Sequence, residues 1–197
     1  MTEPNPGSSR IWWILVLVFV SGWCLYLFFF GPKPPPDSAP VLEGTALSKP
    51  ADYTWTVYDL EGRTVSLAKY RGKTVFLNLW ATWCPPCVAE LPSIARLART
   101  PRLDQVAFLC VSVDQDPETV RRYVQGKDWP MTVLHATDLP EAFRTGNAIP
   151  STFLIAPDGR IAASYVGGAE WDDPTVVAFI ERLTRARLEP APAAETR

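Results

Sequence analysis

The chain has 197 residues, 47% of them hydrophobic and 20% charged, enough for one globular core with attached segments. Nineteen Lys and Arg against 21 Asp and Glu leave a formal net charge of -2, without the basic surplus that phosphate-backbone binding requires, so no nucleic-acid partner is expected. Four cysteines are too few for a disulfide scaffold, and the one histidine, His135, cannot build a multi-histidine metal site, so neither a metal nor another cofactor is expected.

Residues 1–10 read as a short cytoplasmic tail. Ile11 to Phe30 is twenty residues without a charge. At about 1.5 Å per residue it reaches about the 30 Å of a bilayer core, so a single transmembrane helix is expected over 11–30, with the lipid bilayer as a partner. A cleavable signal peptide is the competing reading. The run exceeds a normal apolar signal region, however, and is followed by Gly31-Pro32-Lys33-Pro34 rather than a small-residue cleavage site. Trp12, Trp13 and Tyr26 to Phe30 put aromatic rings near both ends, as membrane interfaces favour. Cys24 follows Trp23, where a lipoprotein signal would need a small residue, and reads as an inert thiol within the span. Arg10 and the terminal amine are opposed by Lys33, so charge says little about orientation. A short N-terminal tail ordinarily stays inside, which would place the remainder on the extracytoplasmic, periplasmic side. Residues 31–50 hold six prolines and read as an extended tether. Residues 51–188 read as the folded domain, and 189–197 have the composition of a disordered tail.

Within the domain, Tyr53 to Tyr58 alternates like a half-buried strand, and Asp59-Leu60-Glu61-Gly62 turns it into Thr64 to Leu67, predicting an N-terminal hairpin. Thr74 to Trp80 is a mostly apolar run, as in a strand covered on both faces. Val88, Leu91, Ile94, Ala95 and Leu97 then recur at helical spacing, predicting a helix from Pro86 to about Arg99. Val106 to Val113 reads as a second buried strand, and Asp116-Pro117-Glu118 opens another helix. Met131 to Leu134, Thr152 to Ala156 and Ile161 to Val166 read as further strands, the last two joined by a turn at 157–160. Pro174 to Leu188 reads as the closing helix. Strands alternating with helices predict an α/β domain with a central mixed sheet flanked by helices, parallel at the helical crossovers and antiparallel at the late hairpin.

The chemistry centres on Trp83-Cys84-Pro85-Pro86-Cys87, where a buried strand ends and a helix begins. Cysteines at i and i+3 in a first helical turn lie on one face, close enough to form a disulfide or to open as a dithiol. Unpaired amides and the helix dipole at that end favour a negative sulfur, lowering the pKa of Cys84 from the ordinary ~8.5. Pro85 and Pro86 have no N–H, which leaves the amide of Cys87 as the nearest donor. Cys84 is therefore the expected exposed nucleophile and Cys87 the resolving thiol, acting by exchange through a mixed disulfide. Half of a zinc site and a static disulfide are the competing readings. Zinc would need two further ligands, which Cys24, Cys110 and His135 are badly placed to provide. Cys110, inside an apolar strand, reads as a small core residue. Ile149-Pro150, just before a strand, is the kind of bond at which a cis peptide is affordable.

Taken together, LNLWATWCPPCVAELP, FLCVSVD, AIPSTFLIAPDGRI and GGAEW resemble the TlpA-like family of thioredoxin-fold thiol-disulfide oxidoreductases over about Tyr53 to Leu188. The resemblance implies a thioredoxin-like fold, a redox-active Cys84 and Cys87 pair, a cis peptide before Pro150 that helps bind substrate, and an extracytoplasmic reducing role. It also implies partners: disulfide-containing proteins such as apocytochrome c or a copper protein, served in cytochrome c maturation or copper-centre assembly, and a membrane thiol donor of the CcdA or DsbD type. Against ordinary thioredoxin, a buried aspartate is replaced by Asn78. Glu90 matches the glutamate of CxxCxxE members and is the expected proton relay for Cys87; a helix N-terminal glutamate favouring the dipole is the alternative. Trp83 and Ile149 are expected to touch substrate. Thiol peroxidases of this fold need a Thr where Ala81 stands and a Pro where Leu77 stands, which disfavours peroxide reduction. A copper-binding assembly chaperone using the same cysteines is the second reading, with His135 and Met131 as nearby candidate ligands.

Overall fold

The computed structural model describes residues 6–30, 40, 49–146 and 148–185. Most of the expected tether at 31–50, the expected tail at 189–197 and the side chain of Cys24 lie outside the described residues. The chain divides into two compact units, residues 1–34 and 35–197. The first contains one helix, α1 (Pro6–Phe30), of 25 residues. Over the described residues no helix is long and apolar enough to cross a membrane. The uninterrupted run at 11–30 is thus a property of the sequence, carried on a helical backbone.

In the second unit β1 (Thr56–Tyr58), β2 (Thr64–Ser66), β3 (Val75–Trp80), α2 (Pro85–Ala98), β4 (Ala107–Ser112), α3 (Pro117–Val124), β5 (Thr132–His135), β6 (Ser151–Ile155), β7 (Ile161–Val166) and α4 (Pro174–Arg185) follow in order. The strands form one sheet in the order β2-β1-β5-β4-β3-β6-β7. β3, β4 and β5 are parallel, because a helix intervenes at each crossover, and β6 and β7 pair antiparallel. The expected mixed sheet is present, and the N-terminal hairpin joins it through Tyr58 beside His135.

Period-two alternation divides the core. On β3, Phe76 and Trp80 face one side with Phe108, Leu154, Leu91, Ile94, Val120 and Ile180, so α2, α3 and α4 all cover that face. Val75, Leu77 and Leu79 face the other side, with Val57, Leu109, Val111, Phe143 and Phe153. Asn78 is the polar member of the helix-covered row on β3, paired laterally with Cys110 on β4 and Thr152 on β6.

Some boundaries differ from those read in the sequence. The first strand begins at Thr56 rather than Tyr53, because Asp52 Oδ1 accepts from the Thr54 amide (2.9 Å) and hydroxyl (2.6 Å) and folds that stretch into a turn. Tyr53 and Trp55 are buried all the same. The Tyr53 ring packs on Gly159, whose φ of +89° and lack of Cβ are both needed: a Cβ there would stand 3.0 Å from the ring. The fifth strand runs one residue later than expected, to His135, and α2 takes in Pro85. Truncating Leu77, which has no solvent exposure, to Ala should reduce unfolding free energy by about 2–5 kcal/mol. Denaturant unfolding reads this directly, and an unchanged midpoint would show that this face lies outside the cooperative core.

Candidate active site

β3 delivers the chain to Cys84, which caps α2 from an extended conformation (φ -96°, ψ 103°). With Pro85 and Pro86 lacking amides, the first available donor is Cys87 N–H, which reaches Cys84 Sγ at 3.3 Å. Cys84 and Cys87 form a disulfide, with Cα atoms 5.3 Å apart. Cys84 is 4% exposed and Cys87 fully buried, so the nucleophile is less open than expected. The accessible surface at this point belongs to Trp83, 65% exposed.

The loop before β6 faces the disulfide because β6 pairs antiparallel with β3, Ser151 opposite Leu79. The Ile149-Pro150 peptide is cis, as the resemblance implies. The Ile149 carbonyl oxygen lies 3.8 Å from Cys84 Sγ. Pro150 O accepts from Gly167 N–H at 2.8 Å, and the Ser151 hydroxyl donates to Ala148 O at 2.7 Å, so the loop is braced from both sides. A cavity of 170 Å³ opens beside it, its wall including Leu79, Trp83, Val113, Phe143 and Ile149. Trp83, Ile149, Pro150 and Cys84 are thus brought together as one apolar rim around the disulfide.

Below the rim the connection between β3 and α2 is pinned by Asp114, two residues past the end of β4. Its carboxylate accepts from Thr82 N–H (2.9 Å), the Thr82 hydroxyl (2.7 Å) and the Ser112 hydroxyl (2.6 Å). Buried His135 places Nε2 2.7 Å from the Asp114 carbonyl oxygen, a structural use of the single histidine. Met131 is buried as well. Among the described residues no group of three or more His, Cys, Asp or Glu is arranged to hold a metal ion. Cys110 is wholly buried, and desolvation reinforced by the nearby Glu90 charge pushes its thiol pKa up, leaving it an unreactive core thiol.

Glu90 lies one helical turn beyond Cys87 on the same face of α2 and has no solvent exposure. Oε1 accepts from Asn78 Nδ2 at 2.8 Å; Oε2 accepts from Trp171 Nε1 at 2.9 Å and from Ala169 N–H at 3.1 Å. Asn78 Nδ2 also donates to Thr152 Oγ1 at 2.9 Å. Burial raises the Glu90 pKa to about 7, and these three donors limit the rise by favouring the ionised form. Asn78, read in the sequence only as a lost aspartate, is a donor to the carboxylate that stands in the domain instead. Asp114, Ala169 and Trp171 were not among the residues singled out from sequence. Two of the tracts that carry the resemblance hold them, FLCVSVD ending at Asp114 and GGAEW containing Ala169 and Trp171.

The raised pKa has a consequence for stability. Below about pH 4.5 Glu90 is protonated in both folded and unfolded chains and contributes no pH dependence; between 4.5 and 7 the unfolded chain ionises first and is favoured. Relative to Glu90→Gln, the unsubstituted chain should lose about 3 kcal/mol of stability as pH rises through that window, with no further loss above it. Urea unfolding of both at several pH values checks this, and a constant difference between them would refute it.

The AhpC/TSA family model matches residues 47–164. The thiol-disulfide oxidoreductase ResA of Geobacillus kaustophilus is 32% identical over 162 residues, covering 81% of this chain and 87% of its own. ResA of Bacillus cereus is 28% identical over 184 residues, 92% of this chain and 99% of its own. Among solved structures, a thiol-disulfide oxidoreductase of Bacteroides vulgatus superposes with a TM-score of 0.59 at 27% identity, covering 71% of this chain and 99% of its own. A thioredoxin of Neisseria meningitidis does so with a TM-score of 0.54 at 32% identity, covering 66% and 87%. With a disulfide capping α2 opposite a cis-proline, and with these relatives, the chain belongs to the AhpC/TSA family, among its TlpA- and ResA-like thiol-disulfide oxidoreductases.

Proposed function

We propose that this chain is a membrane-anchored, extracytoplasmic reductant of protein disulfides. The observation that carries the reading is the Cys84–Cys87 pair at the start of α2, facing the cis Ile149-Pro150 peptide under an exposed Trp83. Reduced Cys84 attacks one sulfur of a partner disulfide and releases the other as a thiolate; Cys87 then attacks the Cys84 sulfur of the mixed disulfide, freeing the second partner thiol. Two electrons pass to the partner, and Cys84–Cys87 is left oxidised. Glu90, one turn from Cys87, accepts the Cys87 proton as that thiol becomes nucleophilic, a role suited to a carboxyl group with a pKa of about 7. Trp83, Ile149 and Pro150 bind the partner segment around its disulfide.

The direction follows from the absence of His or charged residues between the cysteines, which removes one device that strong oxidants use to stabilise their thiolate. A reductant outside the cytoplasm has to be recharged, so a membrane thiol carrier of the CcdA or DsbD type is the donor. The apolar run at 11–30 is the anchor that keeps the domain near it. Apocytochrome c or a copper protein is the partner that the family resemblance supports.

Titrating the full chain against a dithiothreitol or glutathione buffer should give a reduction potential of roughly -270 mV or lower. A potential near -120 mV would make the protein an oxidant and reverse the direction. Cys84→Ser should abolish exchange. A chain without any reversible two-electron couple, but with bound copper, would replace this reading by a metal chaperone. Alkaline phosphatase fused to the C-terminus should be active, and an inactive fusion made in normal amounts would overturn the location.

A further inference from the structure

Glu90, Ser93 and Arg96 succeed one another every three residues along α2, and each grips the segment that follows β7. Glu90 Oε2 takes the N–H groups of Ala169 and Trp171 Nε1. Ser93 Oγ accepts from Trp171 N–H at 3.0 Å while donating to the Glu90 carbonyl at 2.8 Å. Arg96 donates to Asp172 (2.5 Å) and to Glu170, the two acids flanking Trp171. The indole itself is fully buried and stands edge-on to Phe76, with centroids 5.0 Å apart. Nothing in packing alone requires its one polar atom to end on a carboxylate.

We propose that Trp171 is a positioning residue for thiol-disulfide exchange, its indole N–H fixing the Glu90 carboxylate in one orientation a helical turn from Cys87. The inference rests on the reading of Glu90 as the proton acceptor. An indole only donates, so it supports the carboxylate and cannot itself take up the proton. With two N–H groups already on Oε2, the proton settles on Oε1, toward Asn78, whose Oδ1 is buried and has no hydrogen-bond partner. An amide turn of Asn78 lets that oxygen accept from the protonated carboxyl. Around Glu90 the titratable groups are Cys87 on its own helix and Cys110 on β4; Asn78, Thr152, Ala169 and Trp171 are neutral, and at the surface Arg96 pairs with both Glu170 and Asp172, which leaves one negative charge in excess there.

The test is the pH profile of Cys84 alkylation by iodoacetamide in the reduced full chain, followed on the Cys84 peptide by mass spectrometry. Glu90→Gln should remove one inflection. Trp171→Phe, which keeps the apolar bulk but not the donor, should move that inflection up by about one pH unit. In the Glu90→Gln background the Phe substitution should change nothing further. An inflection unmoved in Trp171→Phe, whatever its thermal stability, overturns the positioning role while leaving Glu90 its own. An inflection that survives Glu90→Gln instead removes the Glu90 reading, and the proposal with it. If Trp171→Phe does not fold, the indole N–H resonance of Trp171 in the unsubstituted chain decides: it should titrate with the Glu90 midpoint, and a pH-independent resonance refutes the proposal.

Discussion

A carboxylate with no solvent exposure has to find its donors inside the protein, because leaving it ionised and unpaired costs several kcal/mol, roughly as much as a whole domain's margin of stability. For Glu90 the donors come from Asn78, Ala169 and Trp171, at separations of 12, 79 and 81 residues. Meeting that requirement brings together α2, the interior strand β3 and the segment leading out of β7. Thr152 on β6 braces Asn78 in turn, so four elements meet at one buried charge. The dithiol one turn earlier on α2 inherits its place from this arrangement.

The two sides of the disulfide are consequently unlike. On one side is a closed polar pocket with one group able to exchange a proton near neutrality, walled by the helix-covered core. On the other is an apolar rim, the exposed Trp83 and the Ile149-Pro150 loop, beside a Cys84 that is itself nearly covered. In the exchange proposed for this chain the rim would receive the partner and the pocket would take the proton of the resolving thiol. Asp114 keeps the sides in register by pinning Thr82, two residues before Cys84, to the stretch just past the end of β4.

His135 shows how tertiary context settles what a residue type leaves open. In the sequence it is a candidate copper ligand beside Met131; in the folded domain its ring serves the Asp114 loop and Met131 sits in the core. Cys110 illustrates the converse, since an apolar strand around a thiol is sufficient reason to expect a buried, protonated side chain, and the fold agrees. Tyr53 to Trp55 show the limit of periodicity: the alternation is real and both aromatic rings are buried, yet Asp52 claims the Thr54 amide for a turn and the ladder starts later.

Local chemistry decided what could be read from the sequence alone. Strands, helices and the CxxC cap depend on apolar spacing and on residues whose backbone preferences act over a few positions, and Pro150 is one of the few residues at which a cis bond is affordable. The twenty-residue apolar run at 11–30 is likewise a statement about hydropathy that needs no fold. Which donors Glu90 would find, that Trp171 would be one of them, and that Cys84 would be nearly covered in its disulfide were decided only by tertiary structure. Each depends on groups far apart in the chain, and no local pattern encodes which of several polar side chains will be pressed against a buried charge when the sheet closes.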